Sequence, residues 1–530
     1  MTRAGTAASA APDIMTGADR LCDALLAHDV DVCFANPGTS EMHFVAALDR
    51  KPKMRCILGL FEGVVTGAAD GYARMLDRPA ATLLHLGPGL ANGLANMHNA
   101  RRANSPMINI VGDHAVAHLP LDPPLASDIE SLARPMSRFV RRIGDAAHID
   151  RDVADAWAQS MAGGVTTLIL PADMAWNEHR YDRDLVRGER LPREPVDAQT
   201  IGHVGKALRE GKRVVLLMSG PALREDSLRI ADGIRKKTGA RLFAQGANGR
   251  IARGRGRAPI PRLGLFQESG GLLLRDTEML VLIGAKEPVS FFAYPGQPGR
   301  LAPPSCEVVH LAGPDQDAAQ ALAWLADEVK GARRDAGASD VATTLRALPS
   351  GETLSTSAVN RMVAERLPEQ AIVCDEALTS SGFFEDSYNA APHDFLQITG
   401  GAIGIGIPMA AGAAIACPDR KVINLQADGS GMYTVQGLWT HARESLDVLT
   451  IVFSNRSYAT LWGEMTKVGA QDPGRNAQRM LTLDEPYLGW TKMAEGLGVE
   501  AYRAETVTDF SRALDAALGS RGPRLIEAVV

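Results

Sequence analysis

Apolar and polar positions along this chain follow one another at spacings that predict strand, turn and helix in alternation. From Met15 the pattern predicts a helix with Leu21, Leu25 and Leu26 on one face, then an apolar strand over residues 30–34. A turn at Asn36-Pro37-Gly38 leads to a second helix carrying Met42, Val45 and Leu48. The next strand, residues 55–60, ends at Phe61-Glu62-Gly63; a helix over 67–76 and strands over 80–84, 107–112 and 166–170 follow. These strands are nearly continuous apolar runs, the pattern of parallel strands covered on both faces. Residues 182–197 are charged and contain Pro192 and Pro195, which reads as a linker. A second block has strands over 213–218, 279–283 and 307–311 and ends in the polar 330–340 region. A third has a helix over 355–366, a strand over 371–374 and a Gly/Ala-rich stretch over 399–416. Strands over 421–426 and 448–454, a helix over 509–518 and a strand over 524–530 complete it.

The expected fold is therefore α/β, with three consecutive blocks, each a mainly parallel sheet flanked by helices. A length of 530 residues fits about three domains. Their expected limits are a tail over 1–14, an N-terminal block over 15–182, a central block over 197–330 and a C-terminal block over 345–530. Charge and composition narrow the function. Apolar residues are 45% and charged residues 22%, which excludes a disordered chain, and a net charge of −6 argues against a nucleic-acid binder. No uncharged apolar run is long enough to span a membrane, and residues 1–13 lack the apolar core of a secretory signal. The six cysteines form no CxxC pair, so reduced thiols in a cytoplasmic protein are expected.

The segment that carries chemistry is Gln426-Ala-Asp-Gly-Ser-Gly431, with Ser454-Asn-Arg-Ser-Tyr458 one β–α unit later. Asp428 and Asn455 each lie just past a strand end, where open α/β sheets place ligands. Gly429 and Gly431 let backbone N–H groups approach an anion near a helix N-terminus. A carboxylate and an amide oxygen, completed by diphosphate oxygens and water, make a hard-oxygen shell suited to Mg²⁺.

This arrangement resembles the thiamine diphosphate (ThDP) signature, Gly-Asp-Gly followed by Asn-Asn, with Ala427 and Ser454 in place of the first Gly and the first Asn. Phe61-Glu62-Gly63 before a helix, Asn36-Pro-Gly-Thr-Ser-Glu41 and Leu84-His-Leu-Gly-Pro-Gly89 resemble the family's three N-terminal loops. Over essentially its whole length the chain resembles the acetolactate synthase, benzoylformate decarboxylase and pyruvate decarboxylase superfamily. The resemblance implies a pyrimidine-binding block, a central block and a diphosphate-binding block, with ThDP and Mg²⁺ as cofactors. It implies that Glu62 hydrogen-bonds the aminopyrimidine and promotes the ylid, and that Asp428, Asn455 and the Ser457 carbonyl ligate Mg²⁺. Gly429, Ser430 and Tyr458 would serve the diphosphate, and Thr379 and Ser380 the diphosphate or the pocket. The Gly401 carbonyl would accept from the aminopyrimidine, and Ile403 would prop the bent cofactor.

On the substrate side the resemblance puts Gly38 and Thr39 at the substrate carboxylate and makes His85 a proton relay. His114, Phe291, Phe292, Leu461 and Trp462 are further pocket candidates; Phe291 or Phe292 stands where benzoylformate decarboxylases have a second histidine. The implied activity is a lyase or transferase acting on a 2-oxo acid: carbonyl attack, loss of CO₂ and an enamine that is protonated or adds to a second carbonyl. A benzoylformate decarboxylase-like decarboxylase/carboligase is favoured. The alternatives are acetolactate synthase-type acyl transfer, 2-hydroxyacyl-CoA lyase-type cleavage using Arg250, Arg253, Arg255 and Arg257 as a nucleotide pocket, and a non-catalytic member. No central-block FAD pattern accompanies Gly284-Ala285, so FAD is disfavoured. In this family two subunits build each site, which implies a homodimer or homotetramer.

Overall fold

The computed structural model describes residues 13–182, 184–330, 352–470 and 472–530. Three parallel sheets carry the chain. The N-terminal sheet has the strand order Arg55–Leu58, Val32–Asn36, Ala80–Leu84, Met107–Asp113, Val165–Pro171, Phe139–Arg142. The central sheet runs Arg241–Ala244, Val214–Met218, Met279–Ile283, Glu307–Ala312. The C-terminal sheet runs His393–Gln397, Ile372–Glu376, Val422–Ala427, Val448–Ser454, Arg524–Val529, Glu500–Ala504, with Ile251–Arg253 added antiparallel at its first edge. That added strand comes from the central block, a connection the sequence pattern does not predict. No helix among the described residues is long and apolar enough to cross a membrane.

Several elements depart from the pattern reading for local reasons. Met15 belongs to a short strand, Asp13–Thr16, paired antiparallel with Glu178–Tyr181. The helix begins at Gly17 because the Thr16 side chain caps it, accepting from the Asp19 N–H at 3.2 Å. Of the expected 1–14 tail, residues 1–12 lie outside the described residues, as do 331–351, which include the polar boundary and 345–351 of the third block.

The helix expected from Gly67 begins at Glu62 and runs Glu62–Leu76. Its interior glycines answer to packing. A Cβ at Gly71 would fall 2.1 Å from the Met409 carbonyl oxygen, and one at Gly67 would fall 2.7 Å from Pro408. The partner is the Gly406–Ala416 helix, whose Gly412 lies as tightly against Ala68. Small residues on both helices thus bring N- and C-terminal blocks into contact. One apolar core runs through Val65, Ala68 and Tyr72 to Met409, Ala410 and Ile415. The helix starts at Glu62 and Gly406 consequently lie at the same end of the pair, since Asn96 Nδ2 donates to both Gly63 O (2.8 Å) and Gly404 O (3.4 Å).

The four arginines considered as a nucleotide pocket do not form one. Arg250 pairs with Asp394 at 2.8 Å and donates to the carbonyls that end the Glu62–Leu76 helix. Arg253 is buried under Phe384 and Tyr388 and donates to Ser387 and the Phe384 carbonyl. Arg255 pairs with Glu369, and Arg257 with Glu225 at 2.9 Å. Each guanidinium joins the added Ile251–Arg253 strand region to its surroundings rather than facing a shared anion site.

Candidate active site

Strands Val422–Ala427 and Val448–Ser454 are parallel neighbours with Ala427 opposite Phe453, so Asp428 and Asn455 leave the sheet at the same edge. Asp428 is 2% exposed and opens the short Asp428–Gly431 helix. Its Oδ1 accepts the Gly429 N–H at 2.8 Å and its Oδ2 accepts the Arg456 N–H at 2.7 Å. Burial pushes its carboxyl above the usual range, with the backbone donors opposing. None of the ion pairs among the described residues includes Asp428. Arg456 takes a positive φ of 57°, and Asn455 Oδ1 accepts the Ser457 N–H at 3.0 Å. Tyr458 packs on Gly429, where a Cβ would fall 2.5 Å from its ring. Ser430 Oγ accepts from Gln426 Nε2 at 2.7 Å. Asp428, Gly429, Ser430, Asn455, Ser457 and Tyr458 therefore form one cluster.

A buried carboxylate with no cation among the ion pairs of the described residues, beside an amide oxygen and the backbone turn at Ser457, fits a hard divalent ion bound through oxygen. Among the described residues there is no cluster of three or more His, Cys, Asp or Glu side chains that could hold a metal by themselves. The remaining ligands to such an ion would have to come from a bound anion and water. Helix-start N–H groups beside glycines fit a diphosphate in the same place.

Across the same edge lies the 401–404 loop, where Gly401 and Gly404 have φ of +78° and +98°. Such values favour glycine. Ile403 is half-buried. Phe291 from the central block covers Gly401, with its Cζ 2.9 Å from where a Cβ would be, and Phe292 stacks edge-on to Phe291 at 4.8 Å. Thr379 is exposed and Ser380 buried on the Leu378–Ser380 turn, which packs against the Ala459–Lys467 helix. That helix carries exposed Leu461 and half-buried Trp462 and buries no residue fully. Glu464 ties it to the central block, accepting from the Tyr294 hydroxyl at 2.5 Å.

On the N-terminal sheet, Glu62 is 7% exposed and its Oε2 accepts from Asn92 Nδ2 at 3.0 Å. His85 Nδ1 lies 2.8 Å from Glu41 Oε2. Gly38 has no room for a side chain, since a Cβ would fall 2.0 Å from His85 Nδ1. The Gly38 N–H also donates to Glu41 Oε2 at 2.8 Å. Thr39 is exposed, and the hydroxyl beside His85 is that of Ser40, 3.5 Å from Nδ1. His114 follows Asp113, which pairs with Arg142 at 2.5 Å; its buried Nε2 has no hydrogen-bond partner among the described residues.

Glu41, Asn92, Asn96 and Glu376 were not singled out from the sequence. Glu41 sits inside the Asn36–Glu41 motif and Glu376 at a strand end, but only their burial, 2% and 1% exposed, marks them as more than surface carboxylates.

Comparison with known proteins agrees with this geometry. Residues 15–131 match the thiamine pyrophosphate enzyme N-terminal TPP binding domain, and residues 384–528 match the corresponding C-terminal TPP binding domain. A Mycobacterium tuberculosis protein named "Putative acetolactate synthase large subunit IlvX" is 49% identical over 97% of this chain and 99% of its own.

The chain belongs to the ThDP-dependent enzyme superfamily.

Within that superfamily, benzoylformate decarboxylase of Pseudomonas aeruginosa is 28% identical over 94% of this chain and 96% of its own. The solved ThDP-dependent 4-hydroxybenzoylformate decarboxylase of Rhodococcus jostii has the same fold, with a TM-score of 0.84 at 23% identity over 97% of this chain and 99% of that one. The ThDP enzyme is thus of the acetolactate synthase/benzoylformate decarboxylase family, a lyase or transferase acting on small molecules.

Proposed function

We propose that this ThDP enzyme is a Mg²⁺-dependent 2-oxo acid decarboxylase/carboligase of the benzoylformate decarboxylase type. The observation that carries this reading is the Glu41–His85 contact at 2.8 Å beside Gly38. A carboxylate on Nδ1 takes that nitrogen's proton as a hydrogen bond, leaving Nε2 as the basic atom of the neutral ring. Once Nε2 has taken up a proton, such a histidine would pass it to the substrate-derived carbon so that an aldehyde can leave.

When bound, ThDP supplies a nucleophilic carbon and an electron sink for breaking a bond to the substrate carbonyl carbon. Glu62 would hold a proton toward the aminopyrimidine nitrogen, and its buried position beside Asn92 keeps water from competing. Asp428, the Asn455 amide oxygen and the Ser457 carbonyl would hold Mg²⁺, with Gly429, Ser430, Tyr458, Thr379 and Ser380 about the diphosphate. The Gly401 carbonyl would orient the aminopyrimidine and Ile403 would set its bend. Gly38, Thr39 and His85 would face the substrate carboxylate, with His114, Phe291, Phe292, Leu461 and Trp462 around its side chain.

The assembly proposed is a homodimer or a homotetramer with sites between subunits. Its support is the exposed apolar fringe at the active edge, with Leu60, Tyr433, Leu461 and Phe292 between 44% and 54% exposed. The location proposed is the cytoplasm, where cysteines stay reduced; the six here are free.

A second reading, acetolactate synthesis from two 2-oxo acids, draws on the 49% identical relative. Product analysis separates the two. With ThDP and Mg²⁺, benzoylformate should give benzaldehyde and CO₂, and pyruvate mainly acetaldehyde. Acetolactate as the main product from pyruvate would decide for the second reading.

A further inference from the structure

We infer that Glu376 is a positioning residue that holds the two cofactor-binding loops in register, an inference that rests on ThDP being the cofactor. Glu376 ends strand Ile372–Glu376 at 1% exposure. Its Oε1 accepts the N–H groups of Gly404 at 2.6 Å and Ile405 at 3.2 Å; its Oε2 accepts the Gly406 N–H at 2.7 Å and Gln426 Nε2 at 2.9 Å. The same Gln426 nitrogen donates to Ser430 Oγ at 2.7 Å, and Ser430 Oγ reaches back to the Glu376 carbonyl at 3.4 Å.

One carboxylate therefore joins two segments that both carry residues assigned above to the cofactor. The 404–406 backbone continues the Gly401–Ile403 loop, and Ser430 belongs to the Asp428–Gly431 helix. Capping alone does not account for a buried charge here. A serine or asparagine caps a helix start without desolvating a carboxylate, and no cation pairs with Glu376 among the ion pairs of the described residues. What the carboxylate adds is four acceptor positions on two rigidly related oxygens, enough to serve both loops at once. There is no slack in the arrangement. A Cβ at Gly406 would fall 2.3 Å from Gln426 Oε1 and 3.0 Å from Glu376 Oε2. Gly404 is fixed from the far side as well, its carbonyl accepting from Thr434 Oγ1 at 2.8 Å.

Glu376→Gln replaces one acceptor oxygen by a donor. At the Oε1 position that NH₂ faces the Gly404 and Ile405 N–H groups; at the Oε2 position it faces the Gly406 N–H and Gln426 Nε2. Ser430 keeps its bond to the Ala427 carbonyl in both cases. The common tie between the two loops is weakened while each keeps its local fold. The expected signature is selective. A ligand that touches only the diphosphate loop should bind almost normally, while one that spans both loops should lose affinity.

The test is titration of the full-length protein by calorimetry, with Mg²⁺ plus inorganic pyrophosphate and separately with Mg²⁺ plus ThDP. For Glu376→Gln the ThDP Kd should rise at least tenfold and the pyrophosphate Kd less than threefold, with Glu376→Asp lying between wild type and Gln for ThDP. Parallel loss of both ligands, or no loss of either, overturns the positioning role. If Glu376→Gln does not accumulate as folded protein, Glu376→Asp is read by the same pair of titrations. Failure of both variants to fold makes Glu376 a structural cap and also overturns the proposal. Wild-type protein that binds no ThDP would instead overturn the cofactor assignment itself.

Discussion

His85 Nδ1 and Glu41 Oε2 stand 2.8 Å apart although 44 residues separate them in the chain, because the Gly38–Glu41 turn and the end of strand Ala80–Leu84 meet at one sheet edge. The carboxylate is 1% exposed at its side chain and the imidazole 24%, so the pair presents the ring and conceals the acid. Glu41→Gln keeps the shape and removes the charge that fixes the tautomer. It should lower kcat/KM for a 2-oxo acid by at least about tenfold, within the range of general acid–base effects. The ThDP Kd should change less than threefold. Steady-state kinetics beside a ThDP titration check this; an unchanged kcat/KM contradicts a relay through His85.

Sites shared between subunits have a signature in mixtures. Glu62→Gln and Asp428→Asn are each expected to reduce activity by about a hundredfold or more. If Glu62 of one subunit works with Asp428 of its partner, hybrids of the two variants contain one site with both groups intact. Co-expression should then restore activity to a sizeable fraction of wild type. Recovery no greater than the sum of the two single variants places both groups in a site built by one chain.

Two buried histidines predict how stability depends on pH. His393 and His441 are both pushed down to about 4, chiefly by burial. His441 Nε2 lies 2.9 Å from the Ile407 carbonyl, while His393 Nε2 has no partner among the described residues. Their folded values lie below the ordinary 6.5, so the stability they contribute is complete above about pH 6.5 and is lost as the pH falls toward 4. At about 1.4 kcal/mol per pH unit, each accounts for about 3 kcal/mol over that window. Urea unfolding at pH 7 and pH 4.5 should show this loss in wild type and a smaller one in His441→Gln. An identical loss in both would contradict the assignment to His441.

Phe291 covers Gly401 and leans edge-on against Phe292. Ring-to-ring contact with an aromatic substrate is worth about 1 kcal/mol. Phe291→Ala should therefore lower kcat/KM for benzoylformate by about fivefold to tenfold and for pyruvate by less than threefold. Equal losses on both acids would remove Phe291 from the substrate pocket.

Much of this fold could be read from the sequence. The strands at Ala80–Leu84, Met279–Ile283 and Val448–Ser454 coincide with uninterrupted apolar runs. The Asp428–Asn455 pairing followed from strand-end placement alone. Relations set by tertiary contact could not be read. Nothing local in Ile251–Arg253 announces that it will pair with His393–Gln397 of another block. The glycines of Glu62–Leu76 weaken a helix in isolation, so the pattern delayed its start to Gly67, and only the opposing Gly406–Ala416 helix explains them. Glu41 and Glu376 look like surface carboxylates in sequence because burial is a property of the folded chain.

The most direct measurement is CO₂ release from a panel of 2-oxo acids in the presence of ThDP and Mg²⁺, with wild type and Glu62→Gln side by side. Wild type should release CO₂ from at least one acid, most readily an aromatic one, and Glu62→Gln should do so at least a hundredfold more slowly while remaining folded. Undiminished turnover by Glu62→Gln would contradict the account.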